Sequence, residues 1–161
     1  MRRKPYMLDT NICSFIMRQS PPSVMVALGE AIAQRRKCVI SAISYMELRW
    51  GASKPKASPK LHQRIDEFIR CVDILPYDKD AVDTSDRIYY QLARQGQLIG
   101  DNDISIAGHC IATGCILVTN NSREFARVEG LEMEDWVARA PCLMSIGAPP
   151  ASCAGDVVYI Q

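Results

Sequence analysis

Histidine is scarce in this chain, with His62 and His109 the only two. The seven cysteines, Cys13, Cys38, Cys71, Cys110, Cys115, Cys142 and Cys153, form no Cys-x-x-Cys pair. A zinc site of cysteine and histidine needs ligand pairs at set spacing, so none is expected. An odd cysteine count without a secretion signal reads as reduced thiols, several of them small core residues. Long apolar runs are missing as well. No stretch approaches the ~20 residues that span a bilayer. Tyr6-Met7-Leu8, after the basic N-terminus, is too short for a signal-peptide core. A cytoplasmic protein with no membrane segment is expected. Strong net charge is absent too, and a formal +1 neither demands nor excludes nucleic acid. The local clusters Arg2-Arg3-Lys4, Arg35-Arg36-Lys37 and Lys54, Lys56, Lys60 each read, taken singly, as solvated surface.

What is present is one ordinary domain: 161 residues at 48% hydrophobic content suffice for a real core. Tyr6 to Leu8 reads as a first strand. A short helix is expected over Asn11 to Met17 with Asn11 as its N-cap, and a second from Ser23, again a cap, to about Arg35. Cys38-Val39-Ile40 is a continuous apolar run of the buried parallel type. Helical spacing resumes at Ile43, Met46, Leu48 and Trp50, then again at Leu61, Ile65, Phe68, Ile69 and Val72. Ile74-Leu75 is a short strand stopped by Pro76. Asp78 or Asp80 opens a long helix with Val82, Ser85, Ile88, Tyr89 and Leu92 expected inward. Another helix runs from about Asn102 to Thr113 and stops at Gly114. Cys115 to Thr119 is the clearest strand; a short helix near Arg123 and a strand near Leu131 to Met133 follow. Strands alternating with helices give an α/β domain with a mainly parallel sheet over residues 1–140. Residues 141–161 lack periodicity and read as a poorly ordered tail, with Val157 to Ile160 a weak edge-strand signal.

Oxygen ligands gather at four places where a sheet edge or helix start would hold them: Asp9, Glu47, Asp101-Asn102-Asp103, and Thr119-Asn120-Asn121 with Glu124. Each has an ordinary reading. Asp9 could cap a helix. Glu47 completes a Ser-x-x-Glu capping box with Ser44. Asp101 or Asp103 could cap, and Asn120-Asn121 suits a turn. Their conjunction points further. Carboxylates at one edge repel one another, and a cation relieves that cost. All-oxygen donors select a hard ion, Mg²⁺ or Mn²⁺, which can activate water and stabilise charge on a phosphoryl oxygen.

These residues also carry a resemblance. Met7-Leu8-Asp9-Thr10-Asn11, Met46-Glu47-Leu48-x-x-Gly51, Ile99-Gly100-x-x-Asp103-x-x-Ile106-Ala107, Val118-Thr119-Asn120-Asn121-x-x-Glu124-Phe125 and Glu134-Asp135-Trp136 together resemble the PIN-domain toxins of the VapC type, in order, from about residue 5 to 137. The resemblance implies a five-stranded parallel sheet flanked by helices on both faces. It implies a Mg²⁺-dependent endoribonuclease, the toxin of a toxin–antitoxin pair, acting on tRNA or rRNA loops. Asp9, Glu47 and Asp103 match the family's acidic metal ligands; Asn11 matches its supporting polar residue, with Thr119, Asn121 and Glu124 alongside. A cognate antitoxin and a homodimer are implied as partners. Where many members have Asp, this chain has Asn121, so one firmly held metal is expected, with Glu124 or substrate phosphate the sources for a second. Two other readings stand beside it. One is a PIN-like module that binds RNA or a partner without catalysis. The other is a Mg²⁺-dependent phosphatase with Asp9 as nucleophile, against which Asn11 stands where a second Asp is needed. His109 is expected to be structural, Tyr45 and Trp50 core or partner contacts, and Tyr89 and Tyr90 core and rim.

Overall fold

The computed structural model describes residues 3–139, so the expectations for residues 141–161 lie outside the described residues. The elements are β1 (Tyr6–Leu8), α1 (Thr10–Arg18), α2 (Pro22–Ala33), β2 (Cys38–Ser41), α3 (Ala42–Ala52), α4 (Leu61–Ile69), β3 (Asp73–Leu75), α5 (Lys79–Arg94), α6 (Asp101–Ala112), β4 (Ile116–Val118), α7 (Ser122–Phe125) and β5 (Met133–Glu134). The five strands form one sheet in the order β3-β2-β1-β4-β5, and every neighbouring pair is parallel.

Strand alternation divides the core between the two faces. Tyr6, Leu8, Cys38, Ile40 and Val118 point to one face and pack with Ile12, Leu28, Leu48, Ile65 and Phe68. Met7, Val39 and Leu117 point to the other and pack with Ile88, Leu92, Ile104, Ala107 and Phe125. Helices therefore cover both faces, as the resemblance implies. Trp136 closes the first core: it is fully buried, stands edge-on to Tyr6 at 5.2 Å, and donates its indole N–H to Glu134 at 3.1 Å.

Several helix starts differ from expectation. Asp9 rather than Asn11 caps α1: its Oδ1 accepts the Ile12 N–H at 2.8 Å. The chain leaves β1 extended at Asp9 and turns immediately, so the cap falls two residues early. Pro22 opens α2, because its fixed φ suits a first helical position; Ser23, already inside, donates to the Val137 carbonyl at 3.1 Å. Asp78 caps α5, accepting the Ala81 N–H at 3.0 Å. Gly100 precedes α6 without a side-chain cap, so neither Asp101 nor Asp103 has that duty.

The inward stripe of α5 is Ala81, Thr84, Ser85, Ile88 and Leu92, and Val82 and Tyr89 are exposed. Small residues win those positions because α6 lies so close. A Cβ on Gly108 would stand 2.0 Å from Ser85 Oγ and 2.7 Å from Ser85 Cα. Tyr90 is exposed with Tyr89, so neither ring is core. Gly114 ends α6 at φ +66°, a conformation that favours glycine.

Candidate active site

Asp9 sits at the carboxyl end of the central strand, the place where open parallel sheets build their sites. Its backbone N–H donates to the Val118 carbonyl at 3.0 Å, which locks it beside β4. One carboxylate oxygen takes the Ile12 N–H, and the other takes the Thr119 hydroxyl. Only 5% of the residue is exposed. Burial raises its pKa from 3.8 to about 6; the bonds from Thr119 and the backbone oppose this, and the charge on Glu47 adds to it.

Glu47 comes from α3, whose cap is Ser41: the Ser41 hydroxyl oxygen accepts the Ile43 N–H at 3.1 Å. The capping box from Ser44 is therefore not formed, and Glu47 bonds to other helices instead. Its Oε2 accepts the Thr10 hydroxyl proton, and its Oε1 accepts Asn102 Nδ2–H at 2.9 Å. Two neutral donors on α1 and α6 thus hold this carboxylate from both sides.

Asp103 lies in the first turn of α6. Burial raises its pKa to about 6, and the charges of Glu47, Glu124 and Asp9 push the same way. Three acids from other elements therefore act on Asp103 through space. Asp101 is exposed at the start of the same helix.

The supporting residues expected from the sequence fall around this group. Thr119 is fully buried; besides donating to Asp9 it accepts the Asn121 N–H at 3.0 Å. Asn121 precedes α7 without a side-chain cap bond. Asn11 is exposed, and its Nδ2–H donates to Asn120 Oδ1 at 3.4 Å. Thr10 and Asn102, the tethers of Glu47, were not anticipated. Thr10 is hidden in the first motif between Asp9 and Asn11, and Asn102 between two aspartates that attract the eye first.

The donor set is carboxylate, hydroxyl and amide oxygen, which suits a hard cation. Among the described residues, no group of three or more Asp, Glu, His or Cys side chains is arranged to hold a metal ion by itself. Where oxygen donors of this kind hold an ion, Mg²⁺ suits them because it keeps several waters and takes only one or two carboxylates directly.

His109 is fully buried, and its Nδ1 lies 2.8 Å from Ser41 Oγ. It is structural, as expected. Tyr45 packs against the first core and takes an Arg49 N–H on its hydroxyl at 2.9 Å. Trp50 is 59% exposed, which rules out core packing. Cys13, Cys38, Cys110 and Cys115 are buried free thiols.

Comparison with known proteins places this geometry. The PIN domain model matches residues 6–131. The tRNA(fMet)-specific endonuclease VapC of Shigella flexneri is 43% identical over 131 residues, covering 81% of this chain and 97% of that protein. Ribonuclease VapC2 of Rickettsia felis is 36% identical, covering 81% and 97%. Among solved structures, VapBC2 of Rickettsia felis bound to a promoter DNA fragment matches with a TM-score of 0.75 and 34% identity, covering 81% of this chain and 98% of that one. DNA-bound VapBC of Salmonella typhimurium matches with a TM-score of 0.75 and 36% identity, covering 83% and 99%. With a domain match over most of its length and relatives at this identity across nearly theirs, the chain belongs to the PIN-domain family, among the VapC ribonucleases.

Proposed function

We propose that this protein is a Mg²⁺-dependent endoribonuclease and the toxin of a toxin–antitoxin pair, cutting a structured RNA in a single-stranded loop. The observation that carries this reading is the convergence of Asp9, Glu47 and Glu124 on Asp103, with Glu47 acting on Asp9 as well. Burial first, and then neighbouring acids, raise the pKa of Asp9 and Asp103, a cost that a cation relieves. Asp9, Asp103 and Glu47 would hold the ion, with Mn²⁺ a substitute. A bound Mg²⁺ lowers the pKa of water and neutralises charge on phosphoryl oxygens.

The chain's own residues do the rest. Thr119 and the Ile12 amide fix Asp9. Thr10 and Asn102 fix Glu47, whose free lone pairs orient the attacking water in line with the scissile phosphodiester. The products are a 5′-phosphate and a 3′-hydroxyl. Loops suit the site because their bases can be splayed out for contact. Transfer RNA is the first substrate to test, since the Shigella and Salmonella relatives are named for tRNA(fMet); ribosomal RNA is the second. A cognate antitoxin is the partner, since solved relatives are VapBC assemblies; it would cover the acidic residues, and an arginine fork would match their carboxylates. A second copy of this chain completes the assembly, and the compartment is the cytoplasm.

The test is incubation with total RNA, with and without EDTA, followed by sequencing of the new ends. One discrete cut bearing a 5′-phosphate, abolished by EDTA and by Asp9→Asn, is expected. A cut that survives either change overturns the metal-dependent reading, and the absence of any cut leaves a PIN-fold module that binds without catalysis.

A further inference from the structure

We propose that His109 is a positioning residue: its imidazole accepts a hydrogen bond from the Ser41 hydroxyl and so sets α3, which carries Glu47, against α6, which carries Asp103. The inference rests on the proposed function for its catalytic consequence, but its geometry stands alone.

Ser41 ends β2 and caps α3. Its hydroxyl oxygen accepts the Ile43 N–H at 3.1 Å, and His109 Nδ1, at 2.8 Å, is the partner available for its own proton. With one lone pair of the hydroxyl taken by Ile43, we assign its single proton to Nδ1, which makes the ring the neutral tautomer with its proton on Nε2. Burial favours that neutral form, against the pull of the Asp78 charge and the Pro76 carbonyl. The Nε2 nitrogen has no hydrogen bond, and Tyr77 stands edge-on to the ring at 5.5 Å. The Tyr77 hydroxyl donates to Ser85 Oγ at 2.8 Å. The imidazole is thus wedged between α6, the β2–α3 junction and the β3–α5 connection.

A purely space-filling residue would need no acceptor for the Ser41 hydroxyl. Leverage explains the choice. Ser41 lies six residues before Glu47 on α3, and His109 six residues after Asp103 on α6. Each is ~9 Å along its helix from the acid it steers. The second pin is Asn102 Nδ2–H to Glu47 at 2.9 Å. Two pins fix both the distance and the angle of the crossing, which a single contact cannot do. An acid displaced by even ~1 Å loses much of its catalytic value.

The test uses the full chain with Ser41→Ala, His109→Phe, their double mutant and His109→Asn. Three readouts are taken: RNA cleavage, binding of Mn²⁺ alone, and ¹⁵N NMR of the His109 ring. In the wild type, the neutral Nε2–H tautomer should dominate at neutral pH, with its titration displaced below the ordinary histidine range. Ser41→Ala and His109→Phe should each lower kcat and Mn²⁺ affinity on the order of 10-fold, with KM for RNA changed less than about twofold. The double mutant should lose no more than the worse single, because one bond is shared. His109→Asn, whose amide falls near the Nδ1 position, should recover part of the loss. Folded variants with wild-type kcat and Mn²⁺ affinity, additive losses in the double mutant, or an Nδ1–H tautomer would each overturn the proposal. Should His109→Phe fail to fold, Ser41→Ala carries the same readouts. A wild type without metal-dependent cleavage would sink the proposed function, while the tautomer and Mn²⁺ measurements would still decide the pin.

Discussion

On one face of the sheet, α1 to α4 pack through large side chains such as Ile12, Leu28, Leu48, Ile65 and Phe68. On the other, α5 and α6 meet through Ala81, Ser85, Ala107 and Gly108, close enough that a single added methyl would strike backbone. Large side chains interdigitate and relax by small rotamer changes; small ones bring backbones together and leave nothing to give. The two acids of the cleft inherit this difference. Asp103 rides on the tightly crossed layer and has no hydrogen-bonded tether of its own among the described residues. Glu47 rides on the layer of large side chains and is held by Thr10, by Asn102 and, through the start of α3, by Ser41 and His109. Precision comes from packing on one side and from polar pins on the other.

If both layers serve one site, an acid from either is indispensable. Asp9→Asn and Asp103→Asn are each expected to reduce RNA cleavage on the order of 10³-fold in single-turnover assays, with the fold retained. A substitution that spared activity would show that its acid stands outside the reacting group.

The packing difference itself is tested by one methyl in each layer. Gly108→Ala adds a Cβ 2.7 Å from Ser85 backbone atoms, so helix α6 must move. A loss of ~3 kcal/mol or more is expected in urea denaturation. Ser85→Ala should not rescue it, because the clash is with backbone as well as with the hydroxyl. Ile65→Val, which removes a methylene from the opposite core, should cost about 0.5–1.5 kcal/mol.

Stability against pH separates the acids from the frame. A carboxyl raised from 3.8 to about 6 in the folded state keeps a proton that the unfolded chain has already lost. Its protonated form is therefore favoured by folding, and stability falls as pH rises through that window. For Asp9 the loss amounts to ~3 kcal/mol, complete above about pH 6 and absent below about pH 4. Asp103 adds a loss of the same sign, diminished by solvent because it is only partly buried. In EDTA, Asp9→Asn should therefore be more stable than wild type at pH 7, with the difference vanishing near about pH 4. Adding Mg²⁺ should stabilise the wild type and leave the mutant nearly unchanged. A mutant that is less stable at both pH values would mean that the Thr119 and Ile12 bonds outweigh burial.

The legible parts of the chain were those with a period or a charge. Cys38 to Ile40 and Ile116 to Val118 are continuous apolar runs, and both are buried strands. Asp9, Glu47 and Asp103 stood out because carboxylates at element junctions are costly without a purpose. Helix starts were less legible, because Asp9, Asn11, Ser23 and Ser44 are all competent caps, and strand exits and prolines decide among them. The α5 stripe was misjudged at Val82 and Tyr89 because hydrophobicity ranks Val above Ala, while the approach of α6 demands Ala81 and Ser85. Thr10, Asn102 and the Ser41–His109 bond could not be read at all. Each pairs residues on different elements, and neutral polar side chains carry no signal of where their partner lies.

Those neutral tethers should have the smallest effect, and a measurable one. Asn102 donates to Glu47 from α6, and Thr10 donates from α1. Asn102→Ala removes the link between layers, whereas Thr10→Val removes one within the layer of large side chains at nearly constant volume. Each bond is partly exposed and its loss is softened by water, so stability should change by less than about 1 kcal/mol. Cleavage should drop roughly 5- to 10-fold for Asn102→Ala and less for Thr10→Val, because α1 stays locked to the sheet by Asp9 while α6 is tied to Glu47 by this amide. Single-turnover rates at saturating Mg²⁺ and RNA measure the difference directly. Equal losses would mean that Glu47 needs only its charge balanced; a larger loss for Thr10→Val would place the critical pin within one layer and weaken the case for a site set by the crossing of α3 and α6.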